Sequence, residues 1–341
     1  MKSNIFIGLV LTATIVAAGC DTNTPSPSTS NSSAPAASDA PAASNTPSGH
    51  SGGHAAGKKI NINSALLSEL DKLEAKLGVP ALSNKIQAER PYKDVNELVS
   101  KKVVTDQQFQ QIKDLVTTEE IVLTGEAKDI DYAIKIALMK GHMLVAKELL
   151  AAKQPQAAEP HIGHPVEEIY TDVEAQIKER KVPEFKQVLI TLQDLVKAGG
   201  KDAAKVESSF ADSNKGIEAA YNAVPEAQRT STKFVLQTIE GLLDTAGAEY
   251  AASIADGKIT QPIEYQDSRG FVIVAEELYQ TIAGKMAKEK PAEHAKILAA
   301  FKDLKPIWPN AIPPAKPVKT AVETTGIVKI FQQAASKAIE G

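Results

Sequence analysis

Residues 125–150 read GEAKDIDYAIKIALMKGHMLVAKELL. Ile130, Ile134, Leu138, Val145 and Leu149 recur there at helical spacing, which predicts a helix with one buried face. His142 stands on that same face, between Leu138 and Val145. An imidazole in an apolar seam is costly unless it is hydrogen-bonded or bound to a cation. This single stretch therefore predicts both a buried helix and a polar group that needs a partner.

The same period continues downstream. A second helix is expected from Pro165, with Val166, Ile169, Val173 and Ile177 facing inward. A third carries Phe185, Val188, Leu192 and Leu195 and stops at Gly199-Gly200. A fourth carries Val206, Phe210, Ile217 and Tyr221. A fifth follows Thr230-Ser231 with Val235, Ile239, Leu242, Ala246 and Tyr250. A sixth follows Pro262 with Ile263, Phe271, Val274, Leu278 and Ile282. A seventh follows Pro291, and a last one ends near Ile339 after the proline-rich stretch from Pro306 to Pro317. Antiparallel packing of such helices gives an up-down helical bundle over residues 117–341 and an all-α fold class.

Composition agrees. Of 341 residues, 43% are hydrophobic and only 5% aromatic, a mix that favours helices over sheets. A net charge of −4 argues against coating DNA or anionic lipid with the whole surface. No Walker A loop, dinucleotide fingerprint, His-Glu-x-x-His or Gly-x-Ser-x-Gly elbow is present, so the expectation is a non-enzymatic binding protein.

Upstream, Lys2 precedes an uncharged apolar run from Ile5 to Ala18, then Ala17-Ala18-Gly19 and Cys20. This resembles a bacterial lipoprotein signal over residues 1–19. That resemblance implies lipidation of Cys20 and an envelope protein facing the periplasm or the cell surface. The plainer alternative is an ordinary secretory signal with a chance cysteine. Residues 20–57 are almost wholly Ser, Thr, Pro, Ala, Gly and Asn, with His50 and His54 among the exceptions. Such a stretch cannot bury enough surface to offset its ordering entropy and is expected to be a flexible tether.

Between tether and bundle lies a small module at 58–116. One helix is expected through Leu66, Leu67, Leu70, Leu73 and Leu77, capped by Asn63 or Ser64 and broken at Gly78-Val79-Pro80. A second covers Leu82 to Glu89. Two short helices follow at Val95 to Val99 and Gln107 to Leu115. The segments ININ-S, ALSNKI…RPYKDVNELV and FQQIKDLV make this module similar to the helix-hairpin-helix of ComEA-type competence proteins and of the extrinsic U subunit of photosystem II. The resemblance implies binding of DNA or an envelope protein. The phosphate contacts would come from the hairpin, at Lys76, Gly78, Lys85 and Arg90. The module carries ten Lys/Arg against eight Asp/Glu, and its hairpin has one glycine where the family has two.

The bundle contains a further cluster of polar residues. Asp267 interrupts the sixth stripe, and Gly163-His164-Pro165-Val166-Glu167 holds a His-x-x-Glu pair, which on an α-helix places both side chains on one face. GHPVEEIY resembles the Gly-x-His-x-x-Glu neighbourhood of imelysin-like and EfeO-like periplasmic proteins. IEYQDSRGFV resembles acidic helical segments attached to bacterial iron permeases. These resemblances imply a metal site, with iron or another divalent metal as its cofactor. His164 and Glu167 match the motif, and spacing adds His142, Glu168, Glu264 and Asp267. His161, Glu148, Asp244 and Glu249 are further candidates from spacing alone. With no thiolate available, oxygen and imidazole donors favour iron over copper or zinc.

Overall fold

The computed structural model describes residues 59–340. The signal segment, Cys20 and the 20–57 tether lie outside the described residues, as do His50 and His54.

The all-α expectation holds. Two hydrophobic cores form. The smaller is built from Ile62, Leu70, Leu73, Leu82, Ile86, Leu98, Phe109 and Ile112 with their neighbours. Helices α1 (Leu67–Leu77), α2 (Leu82–Ala88), α3 (Glu97–Ser100) and α4 (Asp106–Ile112) surround it. A short parallel bridge between β1 (Ile60–Asn61) and β2 (Val116–Thr117) ties its two ends together. Neither Asn63 nor Ser64 caps α1. The Asn63 amide is spent on Tyr92, donating to its carbonyl at 2.8 Å and accepting its N–H at 2.7 Å. Leu66 takes the cap position instead, and its N–H donates to Glu69 Oε2 at 3.0 Å.

The larger core runs through the remaining helices. In chain order these begin with α5 (Gly125–Ala151), α6 (Pro155–Ala158) and α7 (Pro160–His164), followed by a π turn at Pro165–Ile169 and α8 (Tyr170–Glu179). Then come α9 (Lys186–Lys197), α10 (Ala203–Asn222), α11 (Glu226–Arg229), α12 (Thr232–Ala252), α13 (Pro262–Glu289), α14 (Pro291–Leu304) and α15 (Ala321–Glu340). A two-residue antiparallel pair, Ile254–Ala255 with Lys258–Ile259, closes the α12–α13 turn. No described helix is long and apolar enough to cross a membrane.

The expected helix start at Pro165 is a miss. The chain is helical from Pro160, which occupies the first-turn position where a missing N–H costs nothing. Pro165 falls in the interior, and the chain accommodates it with a π turn in which the Tyr170 N–H reaches Pro165 O.

Helix α13 lies against both α5 and α12. Its approach to α5 is set by two facing glycines. A Cβ on Gly270 would sit 2.3 Å from the carbonyl oxygen of Gly141, and a Cβ on Gly141 would sit 2.6 Å from Phe271 Cδ1. Backbone meets backbone at this crossing, and the residues next to it, His142 and Asp267, are brought within hydrogen-bonding reach. Helix α12 approaches α5 similarly, with Gly241 under Ile134.

Glu240 on α12 makes a checkable contribution to stability. Burial raises its carboxyl to about 7. Its folded pKa thus exceeds its unfolded one, so the stability it contributes is complete below about 4.5 and is lost as pH rises through about 7. Glu240→Gln is expected to leave stability unchanged at pH 4.5 and to raise it by on the order of 1–2 kcal/mol at pH 8. Urea titrations of wild type and variant at the two pH values check this.

Candidate metal centre

Four segments distant in sequence meet at one point: α1, the middle of α5, α7 with the π turn, and the facing ends of α12 and α13. At the centre is Asp267, 2% exposed. Its Oδ1 lies 2.6 Å from His142 Nδ1 and 2.7 Å from His161 Nδ1. Its Oδ2 lies 3.6 Å from His164 Nδ1. Phe271 packs edge-on against the His142 ring at 5.1 Å, which fixes that ring's plane.

Burial alone would raise the Asp267 carboxyl, but the imidazoles of His142 and His161 outweigh it and hold the group well below the usual carboxylate range. Burial lowers His142, more than Asp267 can restore. His164 behaves oppositely: burial opposes its charge, yet the facing Asp267 carboxylate and the nearby Glu168 raise it to about 9. The buried Asp267 carboxylate thus favours a charged imidazole on His164, the most exposed of the three histidines.

His161 has a positioning role. Gln266 donates its amide N–H to Ala311 O at 3.0 Å, which aims its carbonyl at His161 Nε2, 2.8 Å away. Both ring nitrogens of His161 are therefore engaged, and the residue clamps Asp267 from behind. His142 and His164 instead border a cavity of about 90 Å³, together with Asp71, Glu168, Glu249, Glu264 and Asp267. Trp308 Nε1 donates to Ser268 Oγ at 2.6 Å, locking the α13 backbone beside the cavity.

Three of these side chains are placed so that they could hold one metal ion. One donor atom each from His142, His164 and Asp267 lies within 4.8 Å of the others. Opposed ligands about 2.1 Å from an ion sit roughly 4.2 Å apart, so small rotamer adjustments close the set. Two imidazoles with one carboxylate, and open positions beyond them, are donors suited to ferrous iron. The remaining walls fit a cation as well. Burial raises Glu264 to about 7 and Glu249 well above its ordinary value, with neighbouring acids adding to both. The buried Asp71 Oδ1 accepts no hydrogen bond.

Of the sequence candidates, His142, His164, Glu168, Glu264 and Asp267 all reach this cavity. Glu167 does not. The wider π turn shifts the register, so that the residue four after His164, Glu168, comes under the imidazole. Glu167 turns outward and accepts from Gln193 Nε2 at 3.0 Å. Glu148 is also absent from the site, since Arg269 holds it with a two-pronged bond at 2.7 and 2.8 Å. Asp244 pairs with Lys72 at the surface. Asp71 also lines the cavity; it lies in the other module between the core residues Leu70 and Leu73, where nothing in the local sequence marks it as a ligand.

The hairpin residues proposed for phosphate contact are arranged differently from a phosphate cradle. Gly78 ends α1 in the left-handed conformation, as a C-cap. Beyond it, the Glu74 carboxylate accepts from Ala81 N–H at 2.8 Å, Ser83 N–H at 3.3 Å and Ser83 Oγ at 3.1 Å. An internal carboxylate occupies the place where an anion would sit. Arg90 spends Nε on Ile62 O at 2.7 Å and Nη2 on Ala65 O at 2.6 Å. Lys76 and Lys85 remain exposed.

Residues 225–341, about a third of the chain, match the profile of the iron permease-associated 4-helix bundle domain. The match takes in α12, α13, α14 and α15, and with them Glu249, Glu264 and Asp267. His142, His161, His164, Glu168 and Asp71 lie ahead of it. No curated protein and no solved structure matches the chain. The C-terminal third of this chain is thus similar to a helical domain associated with iron uptake, and the cavity lies where that segment meets the helices preceding it.

Proposed function

We propose that this protein binds a metal ion, iron foremost, in the cavity between α1, α5, α7, α12 and α13, as a non-enzymatic component of iron handling at the cell envelope. The observation that carries the reading is the convergence of His142, His164 and Asp267 on one point, beside the buried acids Asp71, Glu249 and Glu264. The similarity of residues 225–341 to an iron permease-associated domain supports iron and a membrane-transport setting. The lipoprotein-like segment ending at Cys20 supports attachment to the envelope through lipid, with the metal as cargo presented near a membrane partner. DNA capture is the weaker reading, because the hairpin N–H groups are already satisfied by Glu74.

Chelator-stripped protein titrated with Fe(II) under anaerobic conditions, in parallel with Mn(II), Zn(II) and Cu(II), tests this. A bound ion and a rise in melting temperature are expected, because a ligand at a hundred times its Kd stabilises by about 2.7 kcal/mol. His142→Ala and His164→Ala should each weaken binding at least tenfold. A wild-type protein that takes up none of the four metals and gains no thermal stability from them would remove the proposal.

A further inference from the structure

We infer that the bound metal fastens the N-terminal module onto the bundle, with Asp71 of α1 as the ligand the module contributes. The inference rests on the metal-binding reading and adds to it a ligand from the N-terminal module and a mechanical consequence.

Helix α1 is the element through which the module packs on the bundle. The module keeps its own hydrophobic core, and only Leu66, at the head of α1, belongs to the larger one. Helix α1 lies along α12. Across this face, Leu67 N–H donates to Glu168 Oε2 at 3.1 Å, and Gln261 Nε2 donates to Glu74 Oε1 at 2.9 Å. Lys72 meets Asp244 at 2.5 Å, and both side chains are substantially exposed, a kind of pair worth little in water.

Into the bundle at this face, the module inserts a carboxylate. Asp71 is 4% exposed and borders the metal cavity, and its Oδ1 has no hydrogen-bond partner. It faces Glu249, Glu264 and Asp267, all acidic. Leaving a buried acceptor unmade costs free energy, and placing it among like charges costs more. Docking α1 is therefore opposed by Asp71 when the cavity lacks a cation and favoured by it when a cation is present. Asp71 is the residue through which occupancy of the cavity is transmitted to the module. Because α1 also forms one wall of the cavity, the module that a cation draws in is the same one that encloses it.

Hydrogen exchange of the full chain, with and without Fe(II) under anaerobic conditions, reads this directly. Metal should slow amide exchange across residues 67–88 at least tenfold in wild type. Asp71→Asn, which keeps shape and removes charge, should bind Fe(II) at least tenfold more weakly. At metal concentrations that saturate it, the protection of 67–88 should be lost while α5 and α13 remain protected. Lys72→Ala, one residue along and outside the cavity, should behave as wild type. The inference is overturned if Asp71→Asn binds with wild-type affinity, or if metal protects α5 and α13 in wild type without slowing 67–88. The second result needs no variant to fold. Either result leaves the metal site standing, whereas a wild type that binds no metal removes the site and this inference together.

Discussion

Gly270→Ala should cost about 3 kcal/mol or more of folding stability and abolish metal binding. The new methyl would sit 2.3 Å from the Gly141 carbonyl oxygen and 2.7 Å from its carbon. Backbone cannot rotate away as a side chain can, so α5 and α13 must separate. The His142–Asp267 bond of 2.6 Å lies beside that crossing and is lost with the separation. A drop in melting temperature on the order of 5–10 °C is expected. Gly284→Ala is the control: it lies on the same helix with open space around its Cβ position, and exchanging a helical glycine for alanine there should be neutral or stabilising by up to about 1 kcal/mol. If the two variants melt alike, the glycine crossing does not set the helix spacing.

Asp267→Asn is expected to produce the largest loss of metal affinity, at least a hundredfold, because one carboxylate is both a proposed ligand and the anchor of three imidazoles. It should also destabilise the metal-free protein by about 3–5 kcal/mol, since removing one member of a buried charged network leaves the others uncompensated. Part of that loss has a definite pH dependence. His164 is raised from 6.5 to about 9 in the folded protein. The stability it contributes is therefore fully present below pH 6.5 and is lost as pH rises through about 9. The gap between wild type and Asp267→Asn should narrow over that interval, which denaturant titrations of the metal-free proteins at pH 6 and pH 9.5 would show. A gap that widens would mean that His164 is not paired with Asp267.

Much of the inward-facing chemistry was legible before any coordinates. His142 and Asp267 interrupt apolar stripes, and a stripe reports which face of a helix is buried. It does not report which buried faces meet. Asp71 shows why: it is a ligand candidate only because α1 docks on α12, a contact between segments far apart in sequence. Glu167 fails for a different reason. Its spacing from His164 presupposes an α-helix, and Pro165 turned that segment into a π turn, which exchanges Glu167 for Glu168. Pro165 was visible as a helix signal, but proline marks a helix start far more often than a widened turn inside one. The Glu74 carboxylate filling the hairpin was likewise not foreseen, because the resemblance there is carried by apolar and turn residues rather than by the acid.

The position of the cavity relative to the matched C-terminal segment has a chemical corollary. Residues 225–341 bring only oxygen donors to the cavity, from Glu249, Glu264 and Asp267. Both nitrogen donors come from α5 and α7. Taken alone, the four-helix piece would be a hard-donor pocket with a preference for calcium- or manganese-like ions. On the proposed metal-binding reading, the preceding helices supply the nitrogen donors that suit borderline transition metals, which places ion preference outside the segment that resembles an iron-associated domain.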